Sequence, residues 1–341
     1  MTRIVNLTVG DPSLDPRARR VADAAREAGV TLVSVGLGTA HASARSPRLP
    51  RELRGAARLA RTARRTVALL RKTRHLAADI VHTHDLDALV AGWVLSRRRG
   101  ARLVYDAHEL YTGFDADPPR LWLALARRLE GSIARRAGAV VTVSDEIADE
   151  LARRYRLERK PIVVLNCPAT DAGEPETHTG PLRAIYQAAA GPGRDLHDLP
   201  AVDGVELHAR VLGRLPAPSY VTLHEPVPPD DLVSALRPFD IGLVIDRPET
   251  DNSRLALPNK LFEYLMAGLA VVVPDVPAMA QLVQREGIGR TYEPGRLGEV
   301  LAELAQSRAQ VEGMRQRARQ AALERYNAEA QRPALLAAWG L

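Results

Sequence analysis

The stretch that decides the fold is NSRLALPNKLFEYLMAGLAVVVPD, residues 252–275. Its pattern predicts a loop, a helix with Pro258 in its first turn, and a short buried strand over Ala270–Val273. The apolar stripe of that helix consists of Leu261, Leu265 and Met266. Gly268 is expected to end the helix. A helix that begins at the carboxyl edge of a parallel sheet favours a bound phosphate at its N-terminus.

The composition indicates a two-domain chain that needs no disulfide. The 341 residues are 46% apolar, enough for two domains that each bury a core. Cys167 is the only cysteine, which fits a reducing compartment. The first residues, MTRIVNLTVGDP, lack the long apolar segment of a signal peptide, and no apolar run is long enough to span a bilayer. We therefore expect a cytoplasmic protein.

The net charge of +6 narrows the classes of partner. It is compatible with nucleic acid, an anionic membrane surface or anionic small molecules. Only 4% of the residues are aromatic, which argues against a surface that stacks on bases. We therefore expect no nucleic acid as a partner.

The first half of the chain alternates strands with helices. Strands are predicted at Arg3–Val9, Thr31–Gly36, Asp79–Thr83, Arg102–Asp106, Ala139–Val143 and Ile162–Leu165. Helices are predicted at Arg17–Glu27, Arg51–Arg74, Leu86–Ser96, Pro119–Arg136 and from Ser144, as N-cap, to Tyr155. This alternation predicts an α/β fold with a doubly wound parallel sheet.

A second alternating series follows the polar, proline-rich segment PATDAGEPETHTGP, which we interpret as an interdomain linker. Strands are predicted at Arg183–Gln187, Val205–Val211, Tyr220–His224 and Ile241–Ile245. Besides the opening helix, helices are predicted at Asp230–Leu236, Met279–Arg285, Leu297–Ser307, Gln310–Glu324 and Asn327–Trp339. Two such sheets are expected to face each other across a cleft.

Several segments, in their order and spacing, resemble the retaining GT-B glycosyltransferases of the large group-one family. They are GDPSLDPRARRVADAAREAG, IVHTHDLDALVAG, LVYDAHELY, AVVTVSDEIADEL, VVLNCP, YQAAAGPGRDL and PNKLFEYLMAGLAVVVPD. The resemblance implies two Rossmann-like domains: an acceptor domain over 1–168 and a donor domain over 182–325, joined by the linker 169–181. It also implies that a C-terminal helix in 326–341 returns to the first domain. Neither a metal nor another cofactor is expected.

Glu263 resembles the second glutamate of the family's paired-glutamate motif, to which the resemblance assigns the donor ribose. An ionised carboxylate is acceptor-only and suits two neighbouring hydroxyls. The first glutamate of the motif would fall eight residues earlier, where this chain has Leu255. Asp251 or Asn252 could substitute for it. The alternative for Glu263 is a solvated helix glutamate.

Arg194 follows the turn Gly191-Pro192-Gly193 and matches a diphosphate-binding cation of the family. A guanidinium neutralises a diphosphate well, and a turn with little side-chain bulk lets the backbone approach it. Ala188-Ala189-Ala190 replace a basic residue and a glycine that are usual in this loop. The complete predicted donor site comprises Gly193, Arg194, Asn252, Ser253, Pro258, Lys260 and Glu263. Each cation could instead be an ordinary surface residue.

His108 lies just past the end of a predicted strand, where the family places a functional histidine. A histidine at that edge can donate a hydrogen bond to a sugar or to the reacting oxygen. The resemblance assigns His108 and Glu263 to catalysis. It assigns the acceptor pocket to Gly10, Asp11, Asp15, Arg17, His84 and Asp85. The loop Gly10–Pro16 could instead merely cap its helix. The run His82, His84, Asp85 lacks a fourth ligand at suitable spacing, so no metal site is predicted.

The helix Arg51–Arg74 is strongly basic. Its basic residues are Arg51, Arg54, Arg58, Arg61, Arg64, Arg65, Arg71, Lys72 and Arg74, against the single acid Glu52. Its apolar stripe comprises Leu53, Ala56, Ala60, Ala63, Val67 and Leu70. We expect this stripe to pack on the sheet, which leaves the charged face either solvated or in contact with an anionic membrane through residues 51–74.

Together these observations predict a glycosyltransferase. It would move a sugar, a hexose by the resemblance, from a nucleotide-diphosphate sugar to a hydroxyl acceptor with retention of configuration. The acceptor could be lipid-linked, a glycan or a small molecule. Leu255 and the three alanines leave open a catalytically weak GT-B subunit that only binds a ligand or partner. A nucleotide-sugar epimerase is a further alternative, although the paired carboxylates that it needs are not evident.

Overall fold

The computed structural model describes residues 1–38, 51–113, 115, 118–191 and 193–341, without the side chains of 51–53. The chain forms two compact units. The first contains Met1–Val164, Thr250–Asn252 and Arg332–Leu341, and the second contains Leu165–Glu249 and Ser253–Gln331. Residues 39–50 of the predicted loop lie outside the described residues. So do Pro192 of the glycine-rich turn and the side chains of Arg51, Glu52 and Leu53.

The first unit is built on a six-stranded sheet in the order β2-β1-β3-β4-β5-β6, and all its paired strands are parallel. Its strands are β1 (Arg3–Leu7), β2 (Thr31–Val35), β3 (Ile80–His84), β4 (Arg102–Ala107), β5 (Ala139–Thr142) and β6 (Ile162–Val163). Its helices are α1 (Pro16–Glu27), α2 (Arg51–Thr73), α3 (Asp85–Arg99), α4 (Arg120–Ala134) and α5 (Asp145–Tyr155).

The second sheet is also six-stranded and parallel, in the order β12-β11-β10-β7-β8-β9. Its strands are β7 (Leu182–Ala189), β8 (Val205–Leu212), β9 (Val221–His224), β10 (Ile241–Leu243), β11 (Ala270–Pro274) and β12 (Gly289–Tyr292). The remaining helices are α6 (Asp251–Leu255), α7 (Asn259–Met266), α8 (Pro277–Glu286), α9 (Leu297–Ala305), α10 (Arg308–Glu324) and α11 (Ala328–Trp339). The α/β architecture with two doubly wound sheets is confirmed.

The deciding stretch folds as a helix pressed closely onto the sheet. The three residues of the predicted stripe, Leu261, Leu265 and Met266, are fully buried. Gly268 ends the helix with a φ of 76°, which favours glycine. A Cβ atom at Gly242 of β10 would lie 2.2 Å from Cγ of Tyr264, so only glycine lets this ring lie against the strand. The Tyr264 hydroxyl donates to the Leu243 carbonyl at 3.1 Å and accepts from the Gln187 N–H at 3.0 Å.

Local chemistry explains most boundaries, but four predictions differ from the structure. The helix predicted at Asp230–Leu236 is two 3₁₀ turns, Pro229–Asp231 and Ser234–Leu236. The predicted loop before Pro258 contains α6. Pro258 is the N-cap of α7 rather than part of its first turn, with extended backbone at ψ 147°. Strand β12 is not among the predicted strands, because the four-residue segment GRTY is too short to show an apolar run.

The expected packing of α2 is wrong. Ala56, Ala60, Ala63 and Val67 of the predicted apolar stripe are exposed. The helix instead buries Gly55, Leu69 and Thr73. Two of its arginines are held by first-unit acids, Arg58 by Asp115 and Arg65 by Asp87, each at 2.6 Å. Alanine side chains bury little apolar area, so the alanine stripe gains little by packing, and the ion pairs of Arg58 and Arg65 and the close contact at Gly55 set the rotation.

Two arginines of the second unit donate hydrogen bonds to the backbone of the segment predicted as a linker. Arg319 donates to the carbonyls of Asp171 at 2.6 Å and Gly173 at 2.8 Å, and Arg315 donates to that of Glu176 at 2.8 Å. Its role as the connection between two domains stays a prediction. No helix among the described residues is both long and apolar enough to cross a bilayer.

Candidate functional site

The first candidate site lies at the carboxyl edge of the second sheet, where β7 and β10 are neighbours. The chain winds outwards from these two strands in opposite directions, so the loops that follow them separate and leave a crevice. The residues that follow the two strands include Arg194 after β7 and Asp246 after β10. Helix α7 follows further on and contributes Lys260 and Glu263.

Asp246 bridges the two predicted cations. Nε of Arg194 donates to its Oδ1 at 2.6 Å, and Nζ of Lys260 forms an ion pair with its Oδ2. Lys260 also lies 4.5 Å from the centre of the Tyr186 ring, whose hydroxyl donates to Asp246 at 3.1 Å. Burial opposes ionisation of Asp246, but Lys260 and Arg194 outweigh it and lower the pKa of this carboxyl. Two cations therefore share one carboxylate.

Lys260 is 9% exposed and occupies the second position of α7. Burial lowers the pKa of its ammonium group, and Asp246 acts against this shift. Pro258, the N-cap, offers no side chain that accepts from the first backbone N–H groups. A buried cation beside an uncapped helix N-terminus suits an anion such as a diphosphate.

Glu263 is half-buried one turn beyond Lys260. Its Oε2 accepts a hydrogen bond from Nε2 of Gln187 on β7. Gln187 is in turn fixed by its backbone N–H, which donates to the buried Tyr264 hydroxyl at 3.0 Å. The carboxylate is therefore held at the sheet edge rather than solvated along a free helix face, and it is next to the cations.

The loop after β7 is pinned by backbone contacts. Gly193 has a φ of 72°, and its carbonyl accepts from the Arg247 N–H at 3.0 Å. Nη1 of Arg194 donates to the Ala189 carbonyl at 2.7 Å. These contacts direct the Arg194 side chain back over the end of β7, towards Asp246.

Asn252 belongs to the first unit, whereas Arg194, Lys260 and Glu263 belong to the second. Its Oδ1 accepts from the Leu110 N–H at 2.6 Å, and its Nδ2 donates to Glu109. Asp251 lies 3.7 Å from Arg154 of the first unit. Both candidates to replace the missing glutamate therefore have partners of their own. Ser253 falls in the second unit, and donor-binding roles for Asn252 and Ser253 stay predictions.

The second candidate site lies at the carboxyl ends of β3 and β4 in the first unit. Nε2 of His108 lies 3.0 Å from Oδ2 of Asp85. Asp85 has a φ of 52°, a strained conformation for a residue with a side chain, of the kind that occurs at functional sites. Burial, with Glu109 nearby, raises the pKa of Asp85 well above its usual value. The structure thus brings the predicted residues His108 and Asp85 into contact.

His84 lies beside them. Its Nε2 is 2.8 Å from Oδ1 of Asn6, and its ring packs edge-on against that of His108, with centroids 5.6 Å apart. Burial, and then the neighbouring ring of His82, lowers the pKa of His84 to about 3. His84 is therefore neutral at physiological pH and hydrogen-bonds as an uncharged ring.

Below this edge lies a buried network. Arg17 donates to both oxygens of Asp106, at 2.8 and 3.0 Å, and to the Val164 carbonyl at 2.7 Å. Nδ1 of His82 accepts from Nε1 of Trp339 at 3.1 Å, so Nε2 carries the ring proton and donates to Asp106 at 3.2 Å. Burial of Asp106 opposes its ionisation, but Arg17 and the histidines hold its pKa well below the usual range.

The other predicted acceptor residues have local structural roles. Asp15 is the N-cap of α1 and accepts from the Arg17 N–H at 2.9 Å and the Ala18 N–H at 3.2 Å. Asp11 accepts from the backbone and hydroxyl of Ser13 at 2.9 and 2.7 Å. A Cβ at Gly36 would approach the Gly10 carbonyl oxygen to 2.1 Å, so these two loops touch. Acceptor binding by these residues stays a prediction.

The geometry groups His82 and His84 with Asp106 rather than with Asp85. One possible ligand atom from each residue lies within 4.8 Å of the others. However, Arg17 holds both oxygens of Asp106, and both ring nitrogens of His82 are hydrogen-bonded. A metal would have to displace these partners, so the donor set does not favour one.

Sequence reasoning missed Asp246, Gln187, Asp106 and Trp339. Asp246 and Asp106 each carry a signal that could have found them, since each is an acid at or just after the end of an apolar strand. Gln187 also ends a predicted strand. Trp339 carries no such signal, because only the folded chain brings the last helix to β3.

Two doubly wound parallel sheets, with charged groups at the carboxyl edge of each, define an α/β protein of two Rossmann-like units. Two family models match consecutive parts of the chain. Glycosyltransferase Family 4 matches residues 17–170, and a glycosyl transferase-like family matches residues 195–337. The chain belongs to the GT-B glycosyltransferases. No curated protein sequence matches the chain significantly.

Solved structures share the fold at low sequence identity. Sucrose-phosphate synthase from Thermosynechococcus elongatus matches with a TM-score of 0.75 and 15% identity, over 100% of this chain and 98% of that one. Anabaena Alr3699/HepE, solved with UDP-glucose, matches with a TM-score of 0.67 and 14% identity, over 100% of both chains. A glycosyltransferase from Rickettsia africae matches with a TM-score of 0.65 and 13% identity, over 99% and 97%.

Proposed function

We propose that the protein transfers a sugar, of the hexose class, from a nucleotide-diphosphate sugar to a hydroxyl acceptor with retention of configuration. The observation that carries this proposal is the cluster of Arg194, Asp246 and Lys260 at the start of α7. It combines two cations and a helix N-terminus that has no side-chain cap with a carboxylate, Glu263, one turn further on. A ligand with a diphosphate next to a diol fits this order of charges.

The donor domain stabilises the leaving group. As the bond between the sugar C1 and the diphosphate oxygen breaks, negative charge grows on the diphosphate. Arg194, Lys260 and the N-terminus of α7 are fixed where they can bind that charge, so little reorganisation is needed during the reaction. Asp246 keeps both cations in place while no donor is bound. Glu263 accepts hydrogen bonds from the ribose hydroxyls.

The acceptor oxygen attacks C1 on the face that the diphosphate leaves. The acceptor proton passes to the departing diphosphate oxygen, so the new bond to the acceptor oxygen forms without a strong protein base. His108, held by Asp85 at 3.0 Å, orients the sugar or the acceptor hydroxyl. The protein contributes positioning and charge stabilisation. No metal takes part in this scheme: Arg194, Lys260 and the N-terminus of α7 stabilise the charge on the diphosphate.

The exposed surface of α2 supports a peripheral place on the inner leaflet of an anionic membrane. Leu59 and Val67 are 41% and 47% exposed on this helix. Its exposed basic residues are Arg54, Arg64, Arg71 and Lys72. Apolar side chains can enter the headgroup region while each basic residue contributes about 1 kcal/mol near an anionic surface. An acceptor at such a surface is lipid-linked, whereas a glycan or a small molecule is the acceptor if α2 does not contact a membrane.

A second candidate is a catalytically weak subunit that binds the donor only. Leu255 stands where the family has its first motif glutamate, and the candidate substitutes Asp251 and Asn252 are engaged with Arg154, Glu109 and Leu110. Donor binding without turnover would favour this alternative.

The proposal is tested in two stages. Thermal-shift measurements with UDP, GDP, ADP and TDP ask whether any nucleoside diphosphate raises the melting temperature, as a ligand of the native state must. Release of nucleoside diphosphate from the matching donor, with and without EDTA, then measures turnover and metal dependence. A chain stabilised by none of the four nucleotides would refute the proposal.

Calorimetric titration of Arg194→Ala with the nucleoside diphosphate tests whether the diphosphate binds to Arg194. Loss of a hydrogen-bonded charge should weaken binding of the nucleoside diphosphate about 10-fold to 100-fold. Arg214→Ala is the matched control, since Arg214 is an exposed arginine further along the same unit. Equal affinities for the two variants would remove Arg194 from the site.

A further inference from the structure

A row of polar side chains crosses three strands at the carboxyl half of the second sheet. In the parallel register, Gln187 of β7 is paired with Arg210 of β8, which is paired with His224 of β9. Residues paired in this way project from the same face of a sheet. Gln187 and Arg210 are only 6% and 7% exposed.

Arg210 is a buried cation with most of its hydrogen-bonding capacity unused. Its Nη2 donates to the Ala235 carbonyl at 3.2 Å, but Nε and Nη1 make no hydrogen bond within the described chain. Among the described residues no carboxylate forms an ion pair with it. Burial lowers the pKa of the guanidinium, because removal from water disfavours its charged form. A buried, uncompensated charge is unfavourable unless another group pairs with it.

Gln187 offers the complementary atom. Its Nε2 donates to Glu263, whereas its Oε1 is buried and makes no hydrogen bond within the described residues. The row therefore presents one unsatisfied acceptor, Oε1 of Gln187, beside two unsatisfied donors of Arg210. Native proteins seldom leave three such atoms together unless a further group satisfies them.

The order of these groups along the sheet matches the order of groups in a nucleotide. The cations meet at Asp246, after β10; Glu263 is held by Gln187 of β7; Arg210 follows on β8. Two strand spacings, about 10 Å, separate β10 from β8. A nucleoside diphosphate that lies along this edge, with its diphosphate on the cations and its ribose on Glu263, brings its base to Gln187 and Arg210.

We propose that Gln187 and Arg210 recognise the base of the donor through a ring N–H that lies next to a carbonyl. Oε1 of Gln187 accepts from the ring N–H, and Arg210 donates to the carbonyl oxygen. Uracil, thymine and guanine have this pair of groups, whereas cytosine and adenine present a ring nitrogen that accepts. This inference rests on the proposed donor site and selects UDP, TDP or GDP sugars as the class of donor.

Calorimetric titrations of the full chain with UDP and CDP test the inference, because the two ligands differ only at this edge of the base. We expect UDP to bind about tenfold or more tightly than CDP, since CDP leaves the buried groups unpaired. Arg210→Met should reduce this ratio to near one and leave binding of inorganic pyrophosphate unchanged. Arg290→Met, an exposed arginine on β12, is the control and should keep the full ratio.

The outcomes separate the inference from the function on which it rests. If no nucleoside diphosphate or pyrophosphate binds, the proposed function fails and this inference fails with it. If UDP and CDP bind equally well, only the base recognition is wrong. If Arg210→Met and Gln187→Leu both stabilise the fold without changing the ratio, the row binds a buried water only. If Arg210→Met does not fold, Gln187→Leu takes its place in the UDP and CDP titrations.

Discussion

At the scale of single residues, Asp246 organises the proposed donor site. Without it, Arg194 and the buried Lys260 would repel each other, and burial would favour loss of the Lys260 proton. With it, Arg194, Asp246 and Lys260 together carry one net positive charge, beside Glu263. A diphosphate can therefore bind to Arg194 and Lys260 while both keep their ion pairs with Asp246.

Glu263→Ala should abolish most of the transfer activity and leave the fold intact. The variant removes the acceptor that we assign to the ribose and leaves Gln187 without its partner, so donor binding and turnover should both fall at least about tenfold. Nucleoside diphosphate release under steady-state conditions measures the loss. Glu299→Ala, at an exposed helix glutamate paired with Arg296 at 2.5 Å, should keep full activity. Unchanged turnover in the Glu263 variant would contradict the assignment.

His84 should make the fold sensitive to acid. Its pKa is about 3 in the folded state against an ordinary value of 6.5, so between these values the unfolded chain binds a proton that the folded chain does not. Stability is therefore complete above pH 6.5 and falls as the pH decreases towards 4, by about 1.4 kcal/mol per pH unit for one proton. Urea denaturation at several pH values between 6.5 and 4 measures how steeply the free energy of unfolding falls with decreasing pH.

The His84→Gln variant is the comparison for that slope. It should lose stability less steeply between pH 6.5 and 4, whereas His75→Gln, at an exposed position, should match the parent chain. Parallel slopes for the parent and the His84 variant would show that other groups dominate the acid response.

At the scale of elements, α2 shows that composition does not fix the rotation of a helix. Its buried residues are Gly55, Leu69 and Thr73. A Cβ atom at Gly55 would lie 3.5 Å from the Cβ atoms of Pro119 and Trp122, and Arg58 and Arg65 form ion pairs. The alanine stripe is left outside together with Leu59 and Val67. An exposed apolar stripe beside arginines is typical of a helix that binds an anionic surface.

The double variant Leu59→Asp with Val67→Asp tests that reading of α2. The parent chain should cosediment with phosphatidylglycerol vesicles and not with phosphatidylcholine vesicles. The variant should bind about tenfold more weakly, because it loses two apolar insertions and gains two negative charges. Leu323→Asp is a matched control, since Leu323 is 42% exposed on α10. An equal loss in the control, or no binding by the parent chain, would exclude α2 as a membrane contact.

At the scale of the whole molecule, the first unit is completed by the last residues of the chain. Arg332–Leu341 belong to it, and Leu335, Ala338 and Trp339 join its core beside β1, β3 and β4. Arg332 pairs with Glu27 of α1. The first unit therefore cannot finish folding until the second has been synthesised.

Trp339→Ala should destabilise the first unit by about 3–5 kcal/mol, because it empties a fully packed site and removes a partner of His82. Trp339→Phe should cost less, since it keeps much of the ring and loses only the hydrogen bond to His82, about 1 kcal/mol. Urea denaturation measures both. Leu341→Ala, at a 52% exposed residue, should have no effect. A small loss for Trp339→Ala would mean that the last helix contributes little to this core.

The sequence by itself determined the alternation of strands and helices and the two parallel sheets. It also singled out Arg194 and His108, which follow strands, and Glu263, which lies on α7. These follow from local periodicity, from glycine and proline signals, and from the rule that parallel strands present their carboxyl ends at one edge. Only the tertiary structure decided which charged groups meet. The bridge of Asp246 between Arg194 and Lys260 depends on strand order and helix rotation. So do the contact of Trp339 with His82 and the place of Arg210, which forms no ion pair with an acid within the described part of the chain. Contacts between distant parts of the chain fix both, and no local pattern encodes them.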